Sequence, residues 1–232
     1  MSEERVTGSR RWATFDCYGT LVDWNTGIRD ELARLFPEED ADELLAAYHR
    51  IEPRVEEDSS ATYREVMAQV LGEVVEEFEL TLPAEEQWAL AESLPSWPVF
   101  SEVPAALQEL RTRGWQLAIL SNTDPQLRAS SLEAIGVPVD LRITAAEAGS
   151  YKPAHGHWER FFERSGADPR RHVHVGASVV HDIAPAKGEL GLTTVWINRL
   201  GDVTNLPRDA ELLDLEGLPD TLDALVPAEP EE

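Results

Sequence analysis

The sequence predicts an α/β protein with a parallel-sheet core and an inserted helical cap. Short apolar runs of strand type alternate with amphipathic helical segments, which is typical of a parallel sheet covered by helices. One long interval breaks this alternation, because residues 23–98 carry helical patterns and no convincing strand. An uninterrupted helical stretch directly after the first strand indicates a subdomain inserted into the core.

Five runs are predicted to be strands. They are Trp12–Phe15, Trp115–Leu120, Leu141–Thr144, His172–Val175 and Thr193–Ile197. Between strands, Ser101 is expected to cap a helix that ends at Gly114, and Pro125 is expected to open a helix that ends at Gly136. Apolar residues at three- and four-residue spacing predict cap helices over Ile28–Phe36, Ala41–Val55 and Tyr63–Phe78.

These elements divide the chain into a Rossmann-like core and a cap. The core is predicted to comprise residues 1–22 and 99–232, and the helical cap residues 23–98, with Pro95 and Pro98 marking the return. One continuous α/β domain is the alternative. A disordered lead is expected over residues 1–11, a turn-rich tail from Gly201, and a frayed acidic end over residues 226–232.

The charge balance excludes several classes of partner. The 20 Lys and Arg residues against 44 Asp and Glu residues give a formal net charge of −24, which repels phosphate backbones and anionic lipids. No apolar run approaches the roughly 20 residues that span a bilayer, and the first residues lack the apolar stretch of a signal peptide. The single cysteine allows no intrachain disulfide. We therefore expect a cytoplasmic protein that binds neither nucleic acid nor membranes.

Polar side chains follow the predicted strands, where an open parallel sheet binds its ligands. Asp16 and Thr20 follow the first strand, and Ser121 and Asn122 the second. Lys152, Ser178 and Asp182 follow later strands. Such a set is suited to covalent catalysis: one carboxylate attacks, the lysine holds it ionised, and a second carboxylate activates water.

The segments that carry these residues resemble the four signature motifs of the haloacid-dehalogenase superfamily. The segments are FDCYGTL, LSNTD, YKP and VGASVVHD, in this order, and the resemblance covers nearly the whole chain. Magnesium-dependent phosphatases of that superfamily carry acidic residues at the positions of Tyr18 and Ala177. In having a tyrosine at the first of these positions, the sequence resembles the metal-independent L-2-haloacid dehalogenases.

The resemblance implies a mechanism without a metal or an organic cofactor. Asp16 would displace the halide of a small 2-haloalkanoic acid and form an ester, which water activated by Asp182 would hydrolyse. Thr20 and Lys152 would hold the nucleophile. Ser121 and backbone amides near Tyr18 would bind the substrate carboxylate, and Asn122 would help to receive the halide.

The resemblance also supplies candidates whose positions differ from the family pattern. Arg50 is the candidate for a cap arginine that clamps the halide, and His49 is its alternative. Trp158 stands where the family has an active-site tyrosine, and Ser178 is a further candidate for substrate binding. A homodimer is expected by resemblance. Two other functions stay open: a magnesium-dependent phosphatase acting on a small phosphate ester, and a non-catalytic protein that binds a small carboxylate.

Overall fold

A six-stranded parallel sheet organises the computed structural model, which describes residues 10–56 and 61–229. The strands are β1 (Arg11–Phe15), β2 (Trp115–Ser121), β3 (Leu141–Thr144), β4 (His172–Gly176), β5 (Thr193–Ile197) and β6 (Ala210–Leu212). They lie in the order β3-β2-β1-β4-β5-β6, and every neighbouring pair is parallel. The predicted α/β class and all five predicted strands are confirmed. The prediction missed β6, a half-exposed segment of three residues with no apolar run.

The position of β1 determines where a ligand can bind. This strand is buried along its whole length between β2 and β4. The chain runs from β1 outwards to β3 on one side, and then crosses back to β4 on the other. The order therefore reverses beside β1, and in open α/β sheets the crevice outside the carboxyl ends of the strands at such a point binds ligands.

Five α-helices lie in the described residues of the part predicted as the core. They are α5 (Val103–Thr112), α6 (Pro125–Ile135), α7 (Ala145–Ala148), α8 (Gly156–Ser165) and α9 (Leu218–Leu225). The expected α6 is confirmed, and Gly136 ends it in the left-handed conformation at φ 70°. The expected cap of α5 at Ser101 is wrong, because the N-cap position is Glu102 and carries no side-chain capping bond.

The tail is more ordered than expected. Helix α9 packs Leu218 and Leu222 into the core, and Asp223 accepts a hydrogen bond from Trp115 Nε1 at 2.9 Å. Val226, the first residue of the predicted acidic end, is 4% exposed and therefore packed. Residues 230–232 of that end, and residues 1–9 of the predicted lead, lie outside the described residues. Arg11, the last residue of that lead, was wrongly expected to be disordered, because it is buried and begins β1.

The predicted cap segment consists of helices where it is described. They are α1 (Trp24–Leu35), α2 (Ala41–Glu56), α3 (Tyr63–Glu77) and α4 (Ala89–Ser93). The three predicted cap helices are confirmed with small shifts of their ends. The segment leaves and re-enters the core at one place, since the Asp23 N–H donates to the Pro98 carbonyl at 2.8 Å. The division of the chain into two domains stays a prediction.

A π-helix over Val179–Glu189 follows β4. The N–H of Ile183 donates to the carbonyl of Ser178 at 3.1 Å, five residues earlier, and Leu190 donates to Pro185 in the same pattern at 3.0 Å. A π-turn holds one residue more than an α-turn, and such turns are frequent at functional sites. The π-helix carries Asp182, whose side chain reaches Lys152 at the carboxyl end of β1.

No helix in the described ranges combines the length and apolarity that crossing a membrane requires.

Candidate active site

An ammonium group between two carboxylates lies at the carboxyl ends of β1 and β4. Lys152 Nζ donates to Asp16 Oδ1 at 2.8 Å and to Asp182 Oδ1 at 2.6 Å. The side chains of Lys152 and Asp182 are 1% and 0% exposed, whereas that of Asp16 is 11% exposed. The structure thus brings together three predicted residues that lie up to 166 positions apart, and Asp16 is the one that reaches the cavity most openly.

The loop after β1 orients Asp16 through Thr20. The Thr20 hydroxyl donates to Asp16 Oδ2 at 3.0 Å and accepts the backbone N–H of Ala177 at 2.9 Å. Gly19 allows the loop to turn back, because its φ of +87° is one that side chains rarely adopt. Both oxygens of Asp16 therefore have a donor that fixes the plane of the carboxylate.

Asp182 is held by a chain of buried polar side chains that sequence reasoning did not assemble. His174 Nε2 lies 3.2 Å from Asp182 Oδ1, and Thr14 Oγ1 lies 2.9 Å from His174 Nδ1 and 2.8 Å from His172 Nε2. One assignment of protons satisfies all three contacts: His172 donates to Thr14, Thr14 to His174, and His174 to Asp182. The signal in the sequence was the alternation of His172 and His174 on one strand face.

Burial and charge act in opposite directions on these groups. Burial, supplemented by the charge of Asp182, raises the pKa of Asp16, although Lys152 opposes both. Burial alone would also raise the pKa of Asp182, but Lys152 and His174 outweigh it and hold that pKa well below its ordinary value. The two carboxylates likewise outweigh burial at Lys152 and raise its pKa, so this residue stays an ammonium.

The end of β2 supplies a hydroxyl and an amide. Ser121 is 1% exposed, and its Oγ has no hydrogen-bond partner among the described residues. Asn122 exchanges two hydrogen bonds with the backbone of Lys152, since its Nδ2 donates to the Lys152 carbonyl at 3.0 Å and its Oδ1 accepts the Lys152 N–H at 2.6 Å. Asn122 therefore positions Lys152, and Ser121 offers a free hydroxyl to a ligand.

A cavity of about 330 Å³ lies above the carboxylates. The predicted residues that line it are Asp16, Tyr18, Ser121, Asn122, Lys152, Ser178 and Asp182. Further lining residues come mostly from the cap and the π-helix: Trp24, His49, Glu52, Pro53, Glu56, Tyr63, Val180 and His181. The volume is suited to a small organic molecule.

Two glutamates of α2 lie in the cavity wall and were missed from the sequence. Glu52 is 5% exposed and accepts the hydroxyls of Tyr63 at 2.9 Å and Tyr48 at 3.3 Å. Glu56 is 7% exposed, and Asn122 Nδ2 lies 3.5 Å from its Oε2. The available signal was their spacing: Leu44, Tyr48, Glu52 and Glu56 follow one another at four-residue steps along the buried face of α2.

Two predicted substrate contacts are corrected by their positions. Arg50 points away from the cavity, where its side chain is 56% exposed and Nη2 donates to Glu77 Oε2 at 2.7 Å. Trp158 is fully buried and packs on His174 with ring centroids 5.1 Å apart, so it does not line the cavity. His49, the alternative to Arg50, does line the cavity, where its ring lies 4.7 Å from that of Trp24.

Tyr18 and Ser178 reach the cavity, but their hydroxyls have protein partners. The hydroxyl of Tyr18 lies 2.9 Å from Ser131 Oγ. Ser178 Oγ accepts the backbone N–H of His181 at 3.0 Å as the N-cap of the π-helix. The Ser178 backbone N–H donates to Asp182 Oδ2 at 3.2 Å. Both residues therefore shape the site while their hydroxyls are engaged elsewhere.

The donors at this site do not fit a magnesium ion. Mg²⁺ prefers an octahedral shell of oxygens anchored by carboxylates. Tyr18 and Ala177 supply no carboxylate, and the carboxylates of Asp16 and Asp182 already share the Lys152 ammonium. Across the described ranges, no group of three or more His, Cys, Asp or Glu side chains has a geometry that could hold a metal.

The fold and the site define the class of protein: an α/β protein with a carboxylate–lysine–carboxylate site at the carboxyl edge of its parallel sheet. Residues 11–188 match the family model described as haloacid dehalogenase-like hydrolase. The chain belongs to this family of hydrolases.

Curated relatives and solved structures are similar to this chain at moderate to low identity. An (S)-2-haloacid dehalogenase of Pseudomonas sp. (strain YL) is 34% identical over 130 residues, and this match spans 53% of each chain. The (S)-2-haloacid dehalogenase 4A of Burkholderia cepacia is 26% identical over 96% of each chain. The L-2-haloacid dehalogenase from Xanthobacter autotrophicus, solved with chloropropionic acid covalently bound, has a TM-score of 0.81 at 17% identity, covering 92% of this chain and 98% of that one. The structural likeness shows the fold.

Proposed function

We propose that this protein hydrolyses the carbon–halogen bond of a small 2-haloalkanoic acid through an ester on Asp16. The observation that carries the proposal is the Lys152 ammonium between Asp16 and Asp182, at 2.8 and 2.6 Å, on the floor of the cavity. The names of the relatives support it, since they are dehalogenases of 2-haloacids. The predicted roles of Asp16, Thr20, Lys152 and Asp182 agree with their positions.

The first step is a displacement at the halogen-bearing carbon. An oxygen of Asp16 attacks from the side opposite to the halogen, a carbon–oxygen bond forms, and the halide leaves with the electron pair of the carbon–halogen bond. Lys152 and Thr20 hold the carboxylate in one plane, so the attacking lone pair is directed before substrate binds. Burial assists, because a carboxylate with few hydrogen bonds to water is the stronger nucleophile.

The second step is hydrolysis of the ester at the carboxyl carbon of Asp16. Asp182 accepts a hydrogen bond from the attacking water and directs its lone pair to that carbon. Its pKa lies well below the ordinary value, so Asp182 orients the water, and the released proton passes to solvent. Cleavage of the carboxyl carbon–oxygen bond releases the 2-hydroxy acid and restores the Asp16 carboxylate.

The substrate carboxylate is assigned to the Ser121 side of the cavity. Ser121 Oγ is buried and has no partner among the described residues, so its O–H is available for an anionic oxygen. Tyr18 also lines the cavity. The cavity volume of about 330 Å³ is sufficient for a small 2-haloalkanoic acid.

Halide release tests the proposal. Monochloroacetate, monobromoacetate and both enantiomers of 2-chloropropionate would be supplied in the presence of EDTA, with Asp16→Asn as the matched inactive variant. We expect halide from the wild type and none from Asp16→Asn. A phosphate ester assayed with and without Mg²⁺ runs beside it, and magnesium-dependent phosphate release without halide release would refute the proposal.

Isotope labelling tests the ester intermediate. In a single turnover in H₂¹⁸O, water attacks the Asp16 carboxyl carbon, so the label enters Asp16 and the 2-hydroxy acid stays unlabelled. Mass spectrometry of the product and of the Asp16 peptide reads both. A labelled product in the first turnover would mean that water attacks the substrate directly. The expected homodimer is tested separately by sedimentation of the purified chain.

A further inference from the structure

The cap presents a carboxyl group to the side of the cavity from which the halide must leave. Asp16 projects from the sheet edge, and α2 forms one wall of the same cavity through His49, Glu52 and Glu56. A displacement by Asp16 needs the leaving group on the far side of the reacting carbon, away from the sheet edge. The hydrogen-bonding groups of this wall are therefore the ones that a departing halide meets.

The charges around Glu56 favour its neutral form. Among the described residues that line the cavity, the cation is Lys152, and its ammonium is already shared by Asp16 and Asp182. Burial and the neighbouring Glu52 raise the pKa of Glu56 to about 9, although Lys152 and the Asn122 amide oppose them. Near neutral pH Glu56 is thus a carboxylic acid, which has an O–H to donate.

The described contacts of Glu56 involve one of its two oxygens, Oε2. Asn122 Nδ2 lies 3.5 Å from Glu56 Oε2, which makes that oxygen the acceptor and leaves the proton to the other oxygen. Glu52, by contrast, is the acceptor for two tyrosine hydroxyls and is engaged within the cap. Glu56 is therefore the carboxyl of this wall that can donate to a ligand.

We propose, on the basis of the dehalogenase function proposed above, that Glu56 in its protonated form donates a hydrogen bond to the departing halide and thereby determines which halogens the protein accepts. As the carbon–halogen bond breaks, negative charge grows on the halogen and the hydrogen bond strengthens. Halide ions are weak bases, so the proton stays on Glu56 and the halide leaves as an anion. The hydrogen bond matters most for the smaller halogens, which accept it more strongly and leave less readily.

The test compares leaving groups across two Glu56 variants. The ratio of kcat/KM for chloroacetate to that for bromoacetate would be measured for the wild type, Glu56→Ala and Glu56→Gln. We expect kcat/KM for chloroacetate to fall about tenfold in Glu56→Ala, the effect of one hydrogen bond to a developing charge, and the ratio to fall because bromoacetate loses less. It should stay within about twofold in Glu56→Gln, because glutamine keeps an N–H donor. Glu43→Gln, an exposed change on the same helix, is the matched control.

A pH profile separates donation from packing. Wild-type chloroacetate turnover should fall about tenfold as Glu56 ionises above pH 9, and the fall should be absent in Glu56→Gln. Groups that face or neighbour Glu56 are Glu52 and His49 on its own helix, Tyr63 on α3, His181 on the π-helix, and Asp16 and Lys152 of the core. Because the pKa of Glu52 is about 7, Glu52→Gln is included, and the alkaline fall should persist in it.

The outcomes distinguish this inference from the function on which it rests. Release of bromide by the wild type with an unchanged halogen ratio in Glu56→Ala overturns the role of Glu56 and leaves the dehalogenase intact. A change of that ratio in His49→Gln, without one in the Glu56 variants, assigns the donor to His49 and also overturns it. Absence of halide from every haloacid in the wild type refutes the dehalogenase itself. Thermal unfolding of each variant shows that it is folded.

Discussion

Glu56→Gln is expected to stabilise the fold, by an amount that grows with pH. The pKa of Glu56 is about 9 in the fold, against an ordinary value of 4.5, because burial and Glu52 disfavour its charge. A raised folded-state pKa means that the stability linked to this group is complete below about pH 4.5 and is lost as the pH rises through about 9. At about 1.36 kcal/mol per pKa unit, the loss is about 3 kcal/mol at pH 7 and about 6 kcal/mol above pH 9. Glutamine has no proton to lose, so it escapes this loss.

Urea unfolding at pH 5, 7 and 9 measures the effect. The free energy of unfolding of Glu56→Gln minus that of the wild type should be smallest at pH 5, where the linked loss is below about 1 kcal/mol, and rise at each step. The same difference for Glu43→Gln should not change with pH, because Glu43 is exposed on the same helix. A difference that stays flat for Glu56→Gln would refute the reasoning. It would mean that Glu56 ionises freely in the fold, and the halide donor proposed above would lose its basis.

Three further predictions follow from the site geometry. Gly176→Ala should lower the rate of halide release about tenfold, because a Cβ at this position would lie 2.5 Å from the Asp182 side chain and displace it. Gly72→Ala is the control and should leave that rate unchanged, because its Cβ meets open space. Equal losses in the two variants would contradict the argument. Arg50→Met should leave kcat/KM within about twofold, since this side chain is exposed and outside the cavity; a large loss would return Arg50 to the site. The acid limb of kcat/KM should lie above pH 3.8, because burial raises the pKa of Asp16 and the nucleophile must be ionised; activity that is flat down to pH 4 would contradict this.

The sequence predicted the floor of the site because strand ends obey a simple rule. Asp16, Ser121, Lys152 and Asp182 stand in separate segments, but each follows a strand of one parallel sheet. Their carboxyl ends must meet at one edge, so alternation of strands and helices was enough to place them together. The π-helix that carries the last of them was not predicted.

The cap wall could not be read in the same way. The periodicity of α2 predicted that this segment is a helix. Which face of the helix lines the cavity depends on how the predicted cap segment packs on the core. Arg50 follows His49 directly, yet one residue turns a helix by about 100°, so His49 lies in the cavity wall and Arg50 in solvent. Glu52 and Glu56 were overlooked because a buried carboxyl is recognisable only once its partners are known.

The net charge of the chain and the charges at the site both affect how an anion can bind. A net charge of −24 opposes the approach of a haloacid anion, and the lysine at the site is already matched by two carboxylates. An anionic substrate therefore depends on neutral donors, such as the hydroxyl of Ser121 at the sheet edge and, in the proposal above, the protonated carboxyl of Glu56 on α2. We expect a 2-haloacid to place its carboxylate on Ser121 and its halogen beside Glu56 while its reacting carbon faces Asp16. A neutral donor on the cap also avoids the cost of holding a second buried cation beside Lys152. Burial thus disfavours the ionised form of Glu56 and leaves the protonated form, which can donate a hydrogen bond to an anionic ligand.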